Sequence, residues 1–203
     1  MTCFTDGPLR GNFVLLPTEN VHYGRGCASA LAQTLAAHGM RRALLITAHQ
    51  SVLIIGPSGA GKSYLAQALG LNACRNGFTV QYVRLPTLLA QFVQARAQGT
   101  YDRLLKRLPK LSLLVIDDFG LATLNELERQ DLLEAIEERY GTGATLVTSQ
   151  LPVGDWHEYL GGGRIADAIL DRLVHNTHRI ELSSKESMRK EHAALKQGGQ
   201  SGK

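Results

Sequence analysis

The chain has 203 residues, of which 44% are apolar and 20% are charged. This length suits one α/β domain with a buried core and excludes two complete enzyme domains, while the apolar content excludes a disordered chain. The 22 Lys and Arg residues exceed the 18 Asp and Glu residues, and the resulting charge of +4 permits an anionic partner without requiring one.

Three cysteines, Cys3, Cys27 and Cys74, lie far apart and form no C-x-x-C pair. Their odd number and wide spacing exclude a disulfide framework and a zinc site, and favour a reducing, cytoplasmic location. The sequence begins without the basic and apolar segments of a signal peptide, and no apolar stretch approaches the roughly 18 residues that a membrane span needs. We therefore expect a cytoplasmic protein without a membrane partner.

The first part of the chain, residues 1–48, reads differently from the rest. A strand and turn are predicted within residues 12–26, a helix over 28–39 and a second strand over 41–47. This pattern indicates the start of an α/β unit, and whether that unit folds is left open.

Residues 49–190 alternate short apolar runs with amphipathic helices, the pattern of a buried parallel sheet covered by helices on both faces. We expect a five-stranded sheet, with strands over Val52–Ile55, Thr79–Arg84, Leu111–Ile116, Thr145–Thr148 and Arg179–Leu182. The helical stripes between the strands are predicted to include Val93 and Tyr140, and Asn125 with Glu128 forms a capping box before the third helix. Residues 191–203 are polar and are expected to form a flexible tail.

A glycine-rich turn follows the first of these strands and matches the pattern G-x-x-x-x-G-K-S/T. Its glycines let backbone N–H groups surround phosphates, and the helix that begins near Lys62 adds partial positive charge. Lys62 would reach the β and γ phosphates, and the Ser63 hydroxyl would ligate Mg²⁺. The alternative is an ordinary strand-to-helix turn. The predicted nucleotide-binding residues are Gly56, Pro57, Ser58, Gly59, Ala60, Gly61, Lys62, Ser63 and Tyr64.

Two carboxylates, Asp117 and Asp118, end the third apolar run. Open parallel sheets bind ligands at the carboxyl ends of their strands, so Asp117 is predicted to hold Mg²⁺ and Asp118 to orient or deprotonate the attacking water. The alternative is a turn in which both carboxylates cap backbone amides.

Polar residues also follow the fourth run, where Ser149 or Gln150 could sense the γ-phosphate if that strand lies between the two motif strands. The residue pattern does not choose between Ser149, Gln150 and a simple polar exit from the strand.

Arg172 lies off the apolar stripe of the last predicted helix. It could reach a neighbouring subunit's γ-phosphate as an arginine finger, or it could pair with Asp167 or Asp171 on a solvated face.

Cations are concentrated in one further stretch, Arg96, Arg103, Lys106, Arg107 and Lys110. This stretch could contact DNA phosphates, although a solvated helix face is the more common reason for such a run. Trp156 could anchor a loop or a partner, or fill the core.

Four segments in order, GPSGAGKSYLAQALG, LLVIDDFG, TLVTSQLP and GGGRIADAILDRLVHNTHRIEL, resemble the IstB-like ATP-binding proteins. These are transposition helpers of bacterial insertion sequences, related to the DnaC helicase loader within the AAA+ class. The resemblance runs over residues 49–190 and implies a P-loop AAA+ core whose lid domain is short or absent.

The resemblance also implies an ATPase that uses ATP and Mg²⁺. Lys62, Asp118 and the trans-acting Arg172 would be catalytic, Ser63 and Asp117 would hold the metal, and Ser149 would contact the nucleotide. The implied partners are DNA, held non-specifically through its phosphates, the transposase of the same element, and further copies of the chain.

Residues 12–48 depart from that family and are similar to the opening of iron-containing alcohol dehydrogenases. A chimeric reading frame would explain this, in which a truncated helper gene is joined to a dehydrogenase's first codons. Two alternatives to a transposition helper follow: an ATP-binding protein that is defective in assembly, and a helicase loader.

Overall fold

The computed structural model describes residues 51–174 and 177–182 with their side chains, and the backbone of residues 12–15 and 19–22. Its strands are β1 (Asn12–Leu15), β2 (Glu19–His22), β3 (Ser51–Ile55), β4 (Val80–Arg84), β5 (Leu113–Phe119), β6 (Ala144–Ser149) and β7 (Thr177–Glu181). Its helices are α1 (Lys62–Arg75), α2 (Leu85–Ala97), α3 (Tyr101–Leu105), α4 (Glu126–Arg139), α5 (Trp156–Tyr159) and α6 (Gly163–Val174). Short 3₁₀ turns cover Leu108–Lys110 and Val153–Asp155.

β3 to β7 form one parallel sheet in the order β4-β5-β6-β3-β7. The five predicted strands are therefore confirmed, although β5 continues through both carboxylates to Phe119. β6, which ends at Ser149, lies between β3 and β5 and so separates the two motif strands. β1 and β2 pair antiparallel in the segment where a strand and turn are predicted.

Helices cover both faces of the sheet. α1 packs on one face, against a cluster that includes Val52, Val115 and Leu146, and α2, α4 and α6 cover the other face around Leu53 and Ile116. Both clusters are buried because β3, β5 and β6 are apolar on both sides.

Two predicted core positions are wrong. Val93 is 52% exposed and Tyr140 is 65% exposed. Val93 lies one position past the buried arc that contains Phe92, and Tyr140 follows the last residue of α4, where the backbone has already left helical geometry. A helical stripe predicts burial only while the chain keeps turning as a helix.

The predicted capping box is confirmed, since Asn125 accepts from the backbone of Glu128, whose side chain accepts from the Asn125 backbone. Trp156 is fully buried, stacks on Phe119 and donates its indole N–H to the Leu151 carbonyl at 3.0 Å, so it fills the core. Among the helices within the described ranges, none has the length and apolar character to cross a bilayer. The predicted helix over 28–39, the strand over 41–47 and the tail over 191–203 lie outside the described residues.

Candidate nucleotide site

The candidate site lies where β3, β5 and β6 end side by side at the carboxyl edge of the sheet. β3 ends at Ile55, the glycine-rich loop follows, and α1 begins at Lys62, as predicted. Gly59 and Gly61 have φ values of 81° and 91°, which only glycine adopts without strain. Gly61 starts the helix by accepting from the Leu65 backbone at 2.9 Å. The loop therefore presents the backbone curvature that an enclosed phosphate needs.

The first glycine of the loop is required for a different reason. A Cβ atom on Gly56 would lie 2.4 Å from the Leu182 carbonyl oxygen, inside van der Waals contact. The Leu182 N–H donates to the Ile55 carbonyl at 2.8 Å, and the Gly56 N–H donates to the Ser149 carbonyl at 3.2 Å. The loop is thus fixed at its start by both neighbours of β3.

Lys62 is buried, and its ammonium group points back into the loop. Its Nζ donates to the carbonyl oxygens of Gly56 and Pro57, each at 2.8 Å. A cation in this position compensates the phosphate charge that the loop is shaped to enclose. Tyr64, by contrast, is 63% exposed on the outer side of α1.

Asp117 brings the two motifs together. It is 3% exposed, and its Oδ1 accepts from the Ser63 hydroxyl at 3.1 Å and from the Thr148 hydroxyl. Its Oδ2 accepts from the Tyr82 hydroxyl. Burial, together with this hydrogen bond to Asp117, raises the pKa of Tyr82 to about 12, so Tyr82 remains a protonated donor at neutral pH.

The pair of Ser63 and Asp117 fits a magnesium ion. Mg²⁺ prefers hard oxygen ligands and is usually held by one or two protein groups together with substrate phosphates and water. A hydroxyl and a carboxylate oxygen 3.1 Å apart beside a phosphate loop supply that donor set. Within the described residues no larger cluster of His, Cys, Asp and Glu could hold a metal.

Asp118 differs from Asp117 in exposure and backbone. It has a φ of 60°, the only positive value at a non-glycine position in the described chain, and the register of β5 on β6 shifts there. Its Oδ2 accepts from the Arg84 Nε at 2.6 Å, and its N–H donates to the Thr148 hydroxyl at 3.2 Å. The hydrogen bond to Asp118 raises the pKa of Arg84. Strained backbone of this kind is concentrated at functional sites.

The hydroxyl of Ser149 is committed to the local backbone. Ser149 is fully buried, its Oγ donates to the Phe119 carbonyl at 2.7 Å, and it accepts from the Leu151 N–H at 3.0 Å. Gln150 is exposed. The residue of this segment that contacts the acidic pair is Thr148, which donates to the Asp117 carboxylate and accepts from the Asp118 backbone N–H. The sensor role of Ser149 stays a prediction.

Arg172 lies away from this edge. It is near the end of α6, the helix that precedes β7. The first residue of β7 pairs with Ser51, the first residue of β3, so this part of the sheet is opposite the carboxyl ends that form the candidate site. Its guanidinium pairs with Glu137 on α4 at 2.8 Å and donates to the Ala168 carbonyl at 2.9 Å. The alternative pairing with Asp167 or Asp171 is wrong, because α4 packs beside α6 and supplies Glu137 as the partner of Arg172. Its finger role stays a prediction.

The sequence reasoning missed Tyr82, Arg84 and Thr148, which hold the two carboxylates. Tyr82 and Arg84 alternate with buried Val83 on β4, and the register pairs Arg84 with Asp117 on the next strand. The placement of Tyr82 and Arg84 on either side of an apolar residue was the available signal. Its meaning depends on the strand order, which the sequence does not state.

The comparisons with known proteins agree with this geometry. The family described as IstB-like ATP binding protein matches residues 25–196. The chain belongs to this family. The insertion sequence ATP-binding protein y4pL of Sinorhizobium fredii is 55% identical over 145 residues, covering 71% of this chain and 59% of the relative. The chain thus spans about three fifths of the length of this relative. Because the family match begins at residue 25, the expected departure from the family is wrong for residues 25–48. The similarity of residues 12–48 to dehydrogenases stays a prediction, as does the boundary at residue 48.

Solved structures share the fold at low sequence identity. The DnaC helicase loader aligns with a TM-score of 0.57 and 16% identity, covering 77% of this chain and 89% of that one. The replication initiator DnaA bound to AMPPCP and single-stranded DNA aligns with a TM-score of 0.58 and 17% identity, covering 87% of this chain and 51% of that one. The predicted α/β fold, a P-loop core of the AAA+ class, is confirmed.

Proposed function

We propose that this protein binds ATP with Mg²⁺ and hydrolyses it to ADP and phosphate. The observation that carries the proposal is the contact of Ser63 with Asp117 at 3.1 Å, which joins the phosphate loop to the acidic strand end at one edge of the sheet. This is the arrangement that a metal-bound triphosphate requires.

In this proposal each group has a separate task. The backbone N–H groups from Gly59 to Ser63 surround the phosphates, and Lys62 exchanges its loop carbonyls for phosphate oxygens. Ser63 and Asp117 would hold Mg²⁺, which when bound neutralises charge on the transferring phosphoryl group. Asp118 orients a water molecule and accepts its proton, while Arg84 keeps that carboxylate in place.

We further propose that hydrolysis serves DNA transposition. The relatives are named insertion sequence ATP-binding proteins, so we favour the role of a transposition helper. We propose that the helper acts in the cytoplasm. It would act with the element's transposase to select or remodel target DNA, which it would hold non-specifically through phosphates. The protein would work as a homo-oligomer in which Arg172 completes a neighbour's site.

The fold supports one second candidate, because the DnaC helicase loader aligns over 77% of this chain. Capture of the element's transposase from a lysate containing both partners favours the helper, and capture of a replicative helicase favours the loader. An assembly-defective protein would bind ATP but show no rise in specific activity with protein concentration.

The ATP site is tested with two substitutions and one control. Lys62→Ala should weaken ATP binding, because it removes the buried cation of the loop. Asp118→Asn should preserve binding and lower hydrolysis about 10² to 10⁴-fold, the usual contribution of a general base. Lys106→Ala, an exposed lysine outside the site, should change neither. The site assignment is wrong if Lys62→Ala and Asp118→Asn both hydrolyse ATP like the parent.

The role of Arg172 is separated from its ion pair by comparing two variants. Glu137→Gln breaks the pair and leaves the arginine, whereas Arg172→Ala removes the arginine itself. A trans-acting finger predicts that only Arg172→Ala loses hydrolysis, by about 10³ to 10⁵-fold at concentrations where the protein assembles. Equal effects of both variants would assign Arg172 to helix packing alone.

A further inference from the structure

A second concave feature lies along β4, at one side of the sheet, and not at the carboxyl ends of β3, β5 and β6 where the candidate nucleotide site lies. β4 is the outermost strand of the described sheet, and no described strand pairs with its outer side. A groove of about 960 Å³ runs between this free edge, the second half of α2 and the segment from α3 to the following 3₁₀ turn. Tyr82 lies at the groove and also contacts Asp117, and the other residues that line the groove have no part in the ATP mechanism proposed above.

The charge of the groove has one sign. Arg103, Arg107 and Lys110 line one wall, all three are exposed, and within the described chain none of them forms an ion pair. No Asp or Glu is among the described residues that line the groove. Arg96, predicted with this run, is instead paired with Asp131 on α4. A row of unpaired cations without carboxylates attracts a polyanion.

The other walls present groups that recognise bases. Gln91 and Gln94 on α2, and Gln98 directly after its last residue, follow the spacing of one helix face and carry amide donors and acceptors. The free edge of β4 adds unpaired backbone N–H and C=O groups, and Phe78 is a 45% exposed aromatic ring at the groove. In a duplex, the hydrogen-bonding edges of paired bases face each other and their rings are stacked. A concave site with amide groups and an aromatic ring therefore favours unpaired bases.

We infer that this groove binds a single strand of DNA, with the row of Arg103, Arg107 and Lys110 on the phosphates and Phe78 stacked on a base. The inference rests on the proposed association with DNA and specifies its form. It assigns to the protein a site for the unpaired strand that target remodelling would expose.

The test measures the anisotropy of a fluorescein-labelled DNA strand and of the same sequence as a duplex, at several salt concentrations. The variant Arg103→Gln/Arg107→Gln/Lys110→Gln should bind the strand at least about tenfold more weakly, and its salt dependence should flatten by about 2 in slope, because each strand contact contributes about 0.7. The control Lys106→Gln removes the adjacent exposed cation that does not line the groove, and should match the parent. Unchanged thermal unfolding and ATP binding would show that the variants are folded.

A second readout locates the bases. A strand that carries 5-iododeoxyuridine should photo-crosslink to Phe78, and Phe78→Leu should lose this crosslink. The proposal is overturned if the triple variant binds the strand like the parent, if it loses duplex and strand equally, or if polyglutamate binds the groove as tightly as the strand. A parent that binds ATP but neither form of DNA would overturn the DNA association itself.

Discussion

Two buried aspartates illustrate how the same chemistry serves different purposes in this fold. Asp117 and Asp131 are 3% and 0% exposed, and each accepts a hydrogen bond from a tyrosine hydroxyl, Tyr82 and Tyr101 respectively. Asp131 also accepts from Arg96, which lies 3.8 Å from the centre of the Tyr101 ring. Asp117 accepts from three hydroxyl groups, those of Ser63, Thr148 and Tyr82.

The difference lies in how each charge is compensated. Asp131 is held by a cation between α2, α3 and α4, so its charge is balanced within the protein and stabilises helix packing. Asp117 lies at the sheet edge among neutral donors, which a metal ion can displace. A buried carboxylate surrounded by hydroxyls beside a phosphate loop is therefore a better indicator of a ligand site than burial alone.

The largest expected effect comes from neutralising the first aspartate. Asp117→Asn should lower Mg²⁺-dependent ATP hydrolysis by about a hundredfold or more, because metal stabilisation of phosphoryl transfer amounts to several kcal/mol. The free energy of unfolding should stay within about 1 kcal/mol of the parent, since the neutral hydroxyls can reorient around an amide. Phosphate release and urea denaturation measure the two quantities, and a large loss of stability would remove the contrast with Asp131.

Asp131→Asn should have the opposite profile. It removes the charge that Arg96 pairs with at a fully buried carboxylate position and should lower the free energy of unfolding by about 1–3 kcal/mol. ATP binding, followed with a fluorescent nucleotide, should not change. If this variant is as stable as the parent while Asp117→Asn is not, the roles assigned to the two residues are reversed.

The arginine beside the site should give a moderate effect. Arg84→Gln releases the Asp118 carboxylate from its 2.6 Å contact and should lower hydrolysis about tenfold at unchanged ATP affinity, because a misplaced base reacts more slowly. Arg84→Lys keeps the charge and should recover part of the rate. Equal rates in parent and Arg84→Gln would show that Asp118 is oriented without Arg84.

The smallest effect concerns alkaline pH. Burial raises the pKa of Tyr82 and of Tyr159 to about 12, and raises the pKa of Tyr101 as well. The unfolded chain releases these protons near pH 10 while the folded chain retains them, so the stabilisation is complete below about pH 10 and is lost as pH rises toward 12. Denaturation in this pH range should show a shallower decline for Tyr82→Phe than for the parent, with Tyr64→Phe as an exposed control. Identical declines would mean that folding does not raise the pKa of Tyr82.

The parts of this site that could be predicted are those carried by consecutive residues. The motif from Gly56 to Ser63 and the pair of Asp117 and Asp118 each follow a run of apolar residues directly, so the strand and the chemistry appear in one stretch of sequence. A parallel sheet then brings the strand ends to one edge without further information.

The parts that could not be predicted depend on neighbours in space. Thr148 contacts Asp117 and Ser149 does not, because successive residues of a strand point to opposite faces and the sequence does not state which face carries α1. Tyr82 and Arg84 matter because β4 is next to β5. The cluster of Asp131 with Arg96 joins two helices more than thirty residues apart and exists only through their packing.

The close approach of Gly56 to the Leu182 carbonyl has a consequence for protein engineering. An alanine at the first motif position would displace the end of β7, whereas an alanine at Gly59 or Gly61 would distort the loop itself. Gly56 is thus needed because of the neighbouring chain and not because of the nucleotide. Transplanting this octapeptide onto another strand-helix junction would therefore also require a neighbouring strand whose end lies beside the first glycine.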